Sequence, residues 1–169
     1  MTQYTHIGLG GGCHWCTEAV YDSLIGIRSV KQGWISAEEP DDQFSEAVLI
    51  EFNEAEISLQ TIIDIHLQTH SATSNHSMRK KYRSAVYVMN EDDYNRVEGI
   101  LASLQKSFKK QLITRCLRFE KFKSSDKQYH NYYEKNPSKP FCQVFIQPKL
   151  NMLLKQYIAV VDKTKLSKS

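Results

Sequence analysis

A chain of 169 residues with 41% hydrophobic and 24% charged side chains has the size and composition of one soluble globular domain with its own core. Its net charge of +3 is mild, and its basic residues are scattered apart from Arg79-Lys80-Lys81 and Lys109-Lys110, which argues against a nucleic-acid footprint. No stretch approaches a membrane span, and Met1 to Leu9 lacks the basic start and apolar run of a signal peptide, so a cytoplasmic protein without membrane contact is expected.

In chain order, Tyr4 to Leu9 predicts a strand and Trp15 to Leu24 a helix with Ala19, Val20 and Leu24 on one face. Extended structure resumes at Ser29 to Ile35, so the start reads as a βαβ unit. Ser36 to Phe44 is polar, carries Pro40 and predicts a loop. Ala47 to Phe52 alternates as a strand with one well-buried face. Apolar residues at Leu59, Ile62, Ile63 and Leu67 give a helix over Ile57 to Gln68, followed by an irregular polar stretch from Thr69 to Lys81. Ala85 to Met89 is a strand, and Asn90 with Asp93 caps a helix bearing Val97, Ile100, Leu101, Leu104 and Phe108. Ile113 to Phe122 is extended, Asp126 to Lys135 predicts a helix stopped at Asn136-Pro137, and Leu150 to Val161 predicts a last one. No repeat and no linker divides the chain.

The densest chemistry lies in Gly12-Cys13-His14-Trp15-Cys16-Thr17-Glu18, where the glycines at 10, 11 and 12 turn a strand into a helix. A thiol at a helix N-terminus faces unpaired N–H groups and the positive end of the helix dipole, which lowers its pKa. Cys16, one turn on, is spaced to close a disulfide. Four cysteines in a cytosolic chain point to redox chemistry or metal binding. Cys13-x-x-Cys16 supplies half of a zinc knuckle, but no second pair follows, since Cys116 and Cys142 stand alone. Cys116 falls mid-strand and reads as a packing residue, and the histidines other than His14 read as surface or loop residues.

The run from Gly12 to Val20 resembles the active-site motif of the peptide methionine sulfoxide reductase A family. Gly33-Trp34, Glu46, Tyr82-Arg83-Ser84, Glu134-Lys135-Asn136-Pro137, Phe141 to Val144 and Pro148-Lys149-Leu150 follow in the family's order. The resemblance implies an α+β two-layer sandwich with a mixed sheet and a βαβ core, ferredoxin-like in character. Residues 1–150 would form a single catalytic domain and residues 151–169 a C-terminal helix and tail. It further implies reduction of methionine-S-sulfoxide, free or in oxidised proteins, by a monomer without metal or organic cofactor. Cys13 would attack the sulfoxide sulfur, Glu46 would protonate its oxygen, and Tyr82 would hydrogen-bond the developing charge. Trp15, His14, Trp34 and Ser77 would line the substrate pocket. A sulfenic acid on Cys13 would then condense with Cys16, or alternatively with Cys142, to a disulfide that thioredoxin reduces.

The pattern also departs from the family inside the pocket, as in a divergent member. His14 stands where the family has Phe, and Trp34 where it has Tyr. Asn75 to Lys81 replaces a Gly-Asn-Asp-x-Gly-Thr-Gln run, which puts Ser77 at a pocket Asp position. Two other classes compete with the enzyme reading. One is a general CxxC thiol–disulfide oxidoreductase; the other is a non-enzymatic redox-sensing or zinc-binding protein.

Overall fold

The structure is a computed structural model and describes residues 4–125, 135, 138–140, 142–162 and 164. Among the described residues it is an α+β fold on a five-stranded mixed sheet: β1 (Tyr4–Gly10), β2 (Ile27–Ala37), β3 (Ser45–Asn53), β4 (Ala85–Val88) and β5 (Arg115–Ser124). The helices are α1 (His14–Asp22), α2 (Leu59–Thr69), α3 (Glu91–Leu104) and α4 (Gln147–Gln156). The helix expected over Asp126 to Lys135 and the Asn136-Pro137 stop lie outside the described residues, save Lys135. At the C-terminal end, the helix expected from Leu150 to Val161 starts earlier, at Gln147, and gives way to a 3₁₀ turn over Ile158–Val160. Among the described residues no helix is long and apolar enough to cross a membrane.

Two features of the sheet differ from the sequence expectation. First, β1 and β2 are not neighbours. Both pair antiparallel with β3, which runs between them, so the expected βαβ unit is a split one. Second, the sheet closes in the order β1-β3-β2-β5-β4, with β4 antiparallel to β1 and parallel to β5, as a barrel instead of an open layer.

Closure follows from residue size. Strand side chains alternate between faces, and the positions facing away from the helices include Ala37, Ala47 and Ala85, with Ile35 and Tyr87 filling the remaining space. The opposite face carries Ile7, Leu9, Val48, Ile50, Phe52, Val86 and Val88, and the helices bury it with Val20, Tyr21, Ile62, Ile63, Val97 and Leu153. Burial of such side chains stabilises by about 1.5–3 kcal/mol each. Ser58 and Asn90 cap α2 and α3 by accepting the N–H groups of Thr61 and Asp93.

Gly33 is needed where β2 crosses β5. A Cβ there would lie 2.1 Å from the main-chain oxygen of Lys123, which has no flexible end to move away. Gly33→Ala is therefore expected to force the strands apart at a cost of about 3 kcal/mol. In a domain of this size that lowers Tm by about 6–12 °C in thermal unfolding. A shift under about 2 °C would show that the seam can open freely.

Candidate active site

Between β1 and α1 the glycine run is pinned by buried polar groups. Gly11 has φ +142°, and a Cβ on it would lie 2.6 Å from the His70 ring, so glycine is required there. The carbonyl of Gly10 accepts a hydrogen bond from His66 Nε2 at 2.8 Å, and that of Gly11 accepts one from the Arg79 guanidinium at 2.7 Å. The same guanidinium donates to the carbonyls of Ser71, Ser74 and Tyr82, tying the segment between α2 and β4 to the turn.

Cys13 is the N-cap of α1, with extended φ and ψ of −60° and 129°. Its thiol is held below the ordinary thiol range. The largest cause is the hydrogen bond from the Cys16 side chain; the peptide N–H groups of Cys16 and Trp15 add to it, while burial and the charge on Glu46 oppose it. Cys13 and Cys16 are thiols in this structure, and together they face one cleft.

Glu46 comes to the start of α1 from β3. Its register partner on β2 is Trp34, and alternation puts it on the helix-facing side with Val48, Ile50 and Phe52. A carboxyl is thus carried onto the apolar face beneath the start of α1, where Glu46 is 6% exposed. Its Oε1 accepts a long hydrogen bond, 3.4 Å, from the peptide N–H of His14, the residue after Cys13. Oε1 also lies 3.6 Å from His14 Nε2, and Oε2 lies 3.5 Å from Lys81 Nζ. The strand start is held in register because Ser45 and Arg83 bond one another and both Ser45 and Glu46 bond the Lys81 carbonyl.

Tyr82 follows directly and is half-buried. Its hydroxyl is held above the ordinary phenol range, first by burial and next by the charge on Glu46, with Cys13 contributing in the same direction. A phenol that stays protonated can donate to a developing oxyanion. The cleft between this segment and α4 has a volume of about 730 Å³ and is lined by Cys13, Cys16, Met78, Tyr82, Pro148 and Met152 among others. A larger groove of about 1040 Å³ runs past Tyr4, His6, Asn90 and Arg96, but it contains no thiol and is spanned by the Arg96–Glu54 ion pair.

His14 sits edge-on to Trp34, with ring centroids 5.3 Å apart, and Trp15 packs partly buried against the core. Of the expected site residues only Cys13, Cys16 and Tyr82 line the cleft; Glu46, His14, Trp15 and Trp34 lie off its wall, and Ser77 is not brought to it. It is exposed at the start of a 3₁₀ turn, while its neighbours His76 and Met78 line the cleft. The side chain of Cys142 lies outside the described ones. Cys116 is buried on β5, and burial pushes its thiol up to about 12, which makes it inert.

His66, expected at the surface or in a loop, is instead buried in α2, while His70 is a half-buried turn residue at the cleft. His66 is 1% exposed on the stripe Leu59, Ile62, Ile63, and burial lowers its pKa to about 4. His70 is likewise held well below the ordinary range by burial. Its Nδ1 donates to the His66 carbonyl, and its Nε2 accepts from Ser84, which in turn meets Thr114 at 2.7 Å. Both rings are neutral props for the glycine turn. Helical spacing from Ile62 to His66 to His70 was the signal available for them.

A thiol of lowered pKa, a second thiol one turn away and a buried carboxyl against the same turn make up the candidate redox site on an α+β barrel. The family model described as peptide methionine sulfoxide reductase matches residues 5–161. The chain is 30% identical over 172 residues to a peptide methionine sulfoxide reductase of Saccharolobus solfataricus, covering 94% of this chain and 96% of that one. It is also 30% identical to the corresponding Acinetobacter baumannii (strain SDF) protein, over 88% of this chain and 92% of that one. The crystal structure of reduced Mxr1 from Saccharomyces cerevisiae has the same fold, with a TM-score of 0.73 at 23% identity, over 83% of this chain and 90% of that one. The chain belongs to the peptide methionine sulfoxide reductase family.

Proposed function

We propose that this protein reduces methionine-S-sulfoxide, free or peptide-bound, to methionine with Cys13 as nucleophile. The Cys13 thiolate attacks the sulfoxide sulfur, Glu46 delivers one proton to the oxygen, and the S–O bond breaks. Methionine leaves, and the hydroxyl remains on Cys13 as a sulfenic acid, so the sulfoxide is reduced as the cysteine is oxidised. Cys16 then displaces water to form a disulfide. Tyr82 hydrogen-bonds the sulfoxide oxygen, and Trp15, His14 and Trp34 form the wall around the S-methyl group. The observation that carries this reading is the hydrogen bond from the peptide after Cys13 to Glu46, which holds nucleophile and acid at one helix end.

Cys16 is the resolving thiol because its side chain already bonds the Cys13 sulfur. Thioredoxin is the reductant in this reading; yeast Mxr1, of the same fold, has been crystallised in complex with Trx2. The chemistry calls for no metal or organic cofactor and suits a cytoplasmic monomer, where thiols are kept reduced. Residues 1–150 serve as the catalytic domain, ferredoxin-like through its split β1–α1–β2 unit, and residues 151–169 as a C-terminal segment.

Mass spectrometry after one equivalent of methionine-S-sulfoxide tests this. One equivalent of methionine should appear, and the chain should lose about 2 Da as a Cys13–Cys16 disulfide. No consumption of either epimer would overturn the assignment. Insulin reduction without sulfoxide reduction would instead favour a general thiol–disulfide exchanger built on the same CxxC pair.

A further inference from the structure

Glu46 is flanked by two nitrogen bases, His14 and Lys81. His14 Nδ1 lies 3.0 Å from the carbonyl oxygen of Gly33. A carbonyl only accepts, so Nδ1 carries its hydrogen and Nε2 is the atom that gains or loses a proton. That atom faces Glu46 Oε1 at 3.6 Å, with both side chains 7% exposed. On the far oxygen, Oε2, the Lys81 ammonium lies 3.5 Å away.

We infer that His14 and Glu46 hold one proton between them and that His14 acts through Glu46 as the proton store for sulfoxide reduction. The inference rests on the proposed function above. As the Cys13 thiolate bonds to the substrate sulfur, that proton passes through the Glu46 carboxyl to the sulfoxide oxygen. A hydroxyl then resides on Cys13, a thioether departs, and His14 is left neutral beside a carboxylate until solvent returns one proton. His14 never touches the substrate oxygen and is a positioning residue. A shared proton is lost at a higher pH than from either partner alone, because the imidazolium–carboxylate form also holds it. The groups facing the pair are Cys13 and Trp15 at the α1 end, Gly33 and Trp34 on β2, and Lys81 and Tyr82 before β4. Lys123 on β5 stands 6.0 Å from the Trp34 ring centroid.

The test is the pH dependence of kcat and KM for N-acetylmethionine-S-sulfoxide in wild type, His14→Phe, His14→Gln and His14→Ala, with Glu46→Gln alongside. Both His14→Phe and His14→Gln should lower kcat about 10-fold at pH 8 and move its alkaline fall about one unit lower, whatever change in KM accompanies it. Added imidazole should restore part of the His14→Ala rate. A wild-type pH profile in His14→Phe, a change confined to KM, or no imidazole rescue overturns the shared proton and leaves His14 as pocket wall. The Glu46→Gln arm separates the two claims. If Glu46→Gln keeps the wild-type rate, the acid of the underlying mechanism fails; if it is inactive while the His14 variants are normal, only the proton store fails.

Discussion

Cys13→Ser is expected to lower dithiothreitol-dependent reduction of methionine-S-sulfoxide by at least about 10⁴-fold, because a hydroxyl at this position stays protonated and attacks sulfur poorly. The surroundings of this thiol favour its ionised form: the Cys16 side chain donates to it, and the Trp15 and Cys16 peptides point at it. Because these lower its pKa, the iodoacetamide reaction of Cys13 should reach half its maximal rate at a lower pH than a free cysteine does. Acidification through that point should protonate the sulfur and slow both alkylation and turnover. Cys116, pushed up to about 12 by burial, should remain unlabelled under the same conditions. Cys16→Ser keeps a hydroxyl donor and should give one turnover without disulfide formation. A Cys13→Ser protein that still turns over would move the nucleophile elsewhere.

The parts of this site that depend on neighbours in sequence could be read before the structure. Cys13 and Cys16 announce themselves through a glycine-rich turn into a helix, and the strand alternation around Val48, Ile50 and Phe52 marks the face on which Glu46 lies. Strand order could not be read that way. Nothing local in β1, β2 or β3 says that β3 inserts between the other two, and barrel closure depends on small residues at Ala37, Ala47 and Ala85, which are far apart in the chain. His14 is the sharpest example. Its identity was visible, but its meaning lies in Glu46, 32 residues on, and in Gly33, 19 residues on. The burial of His66 is legible only once a buried carbonyl, here that of Gly10, is known to need a donor.

Glu46→Gln is expected to separate acid catalysis from thiol activation, since the two effects of this carboxyl have opposite signs. Gln fills the same volume between His14 and Lys81 but cannot release a proton to the sulfoxide oxygen, so the reduction rate should fall by about 10²–10⁴-fold. The charge on Glu46 meanwhile holds the Cys13 thiol up, against the hydrogen bonds that pull it down, and does the same to the Tyr82 hydroxyl. Removing that charge should therefore lower both pKa values. The Cys13 alkylation midpoint should move to lower pH than in wild type, and labelling at acidic pH should become faster. Parallel iodoacetamide kinetics and sulfoxide turnover on one preparation measure both. A variant that loses turnover while its thiol stays at least as reactive shows that the carboxyl serves the sulfoxide step and not thiol activation. Loss of both together would mean instead that Glu46 serves to build the α1 terminus.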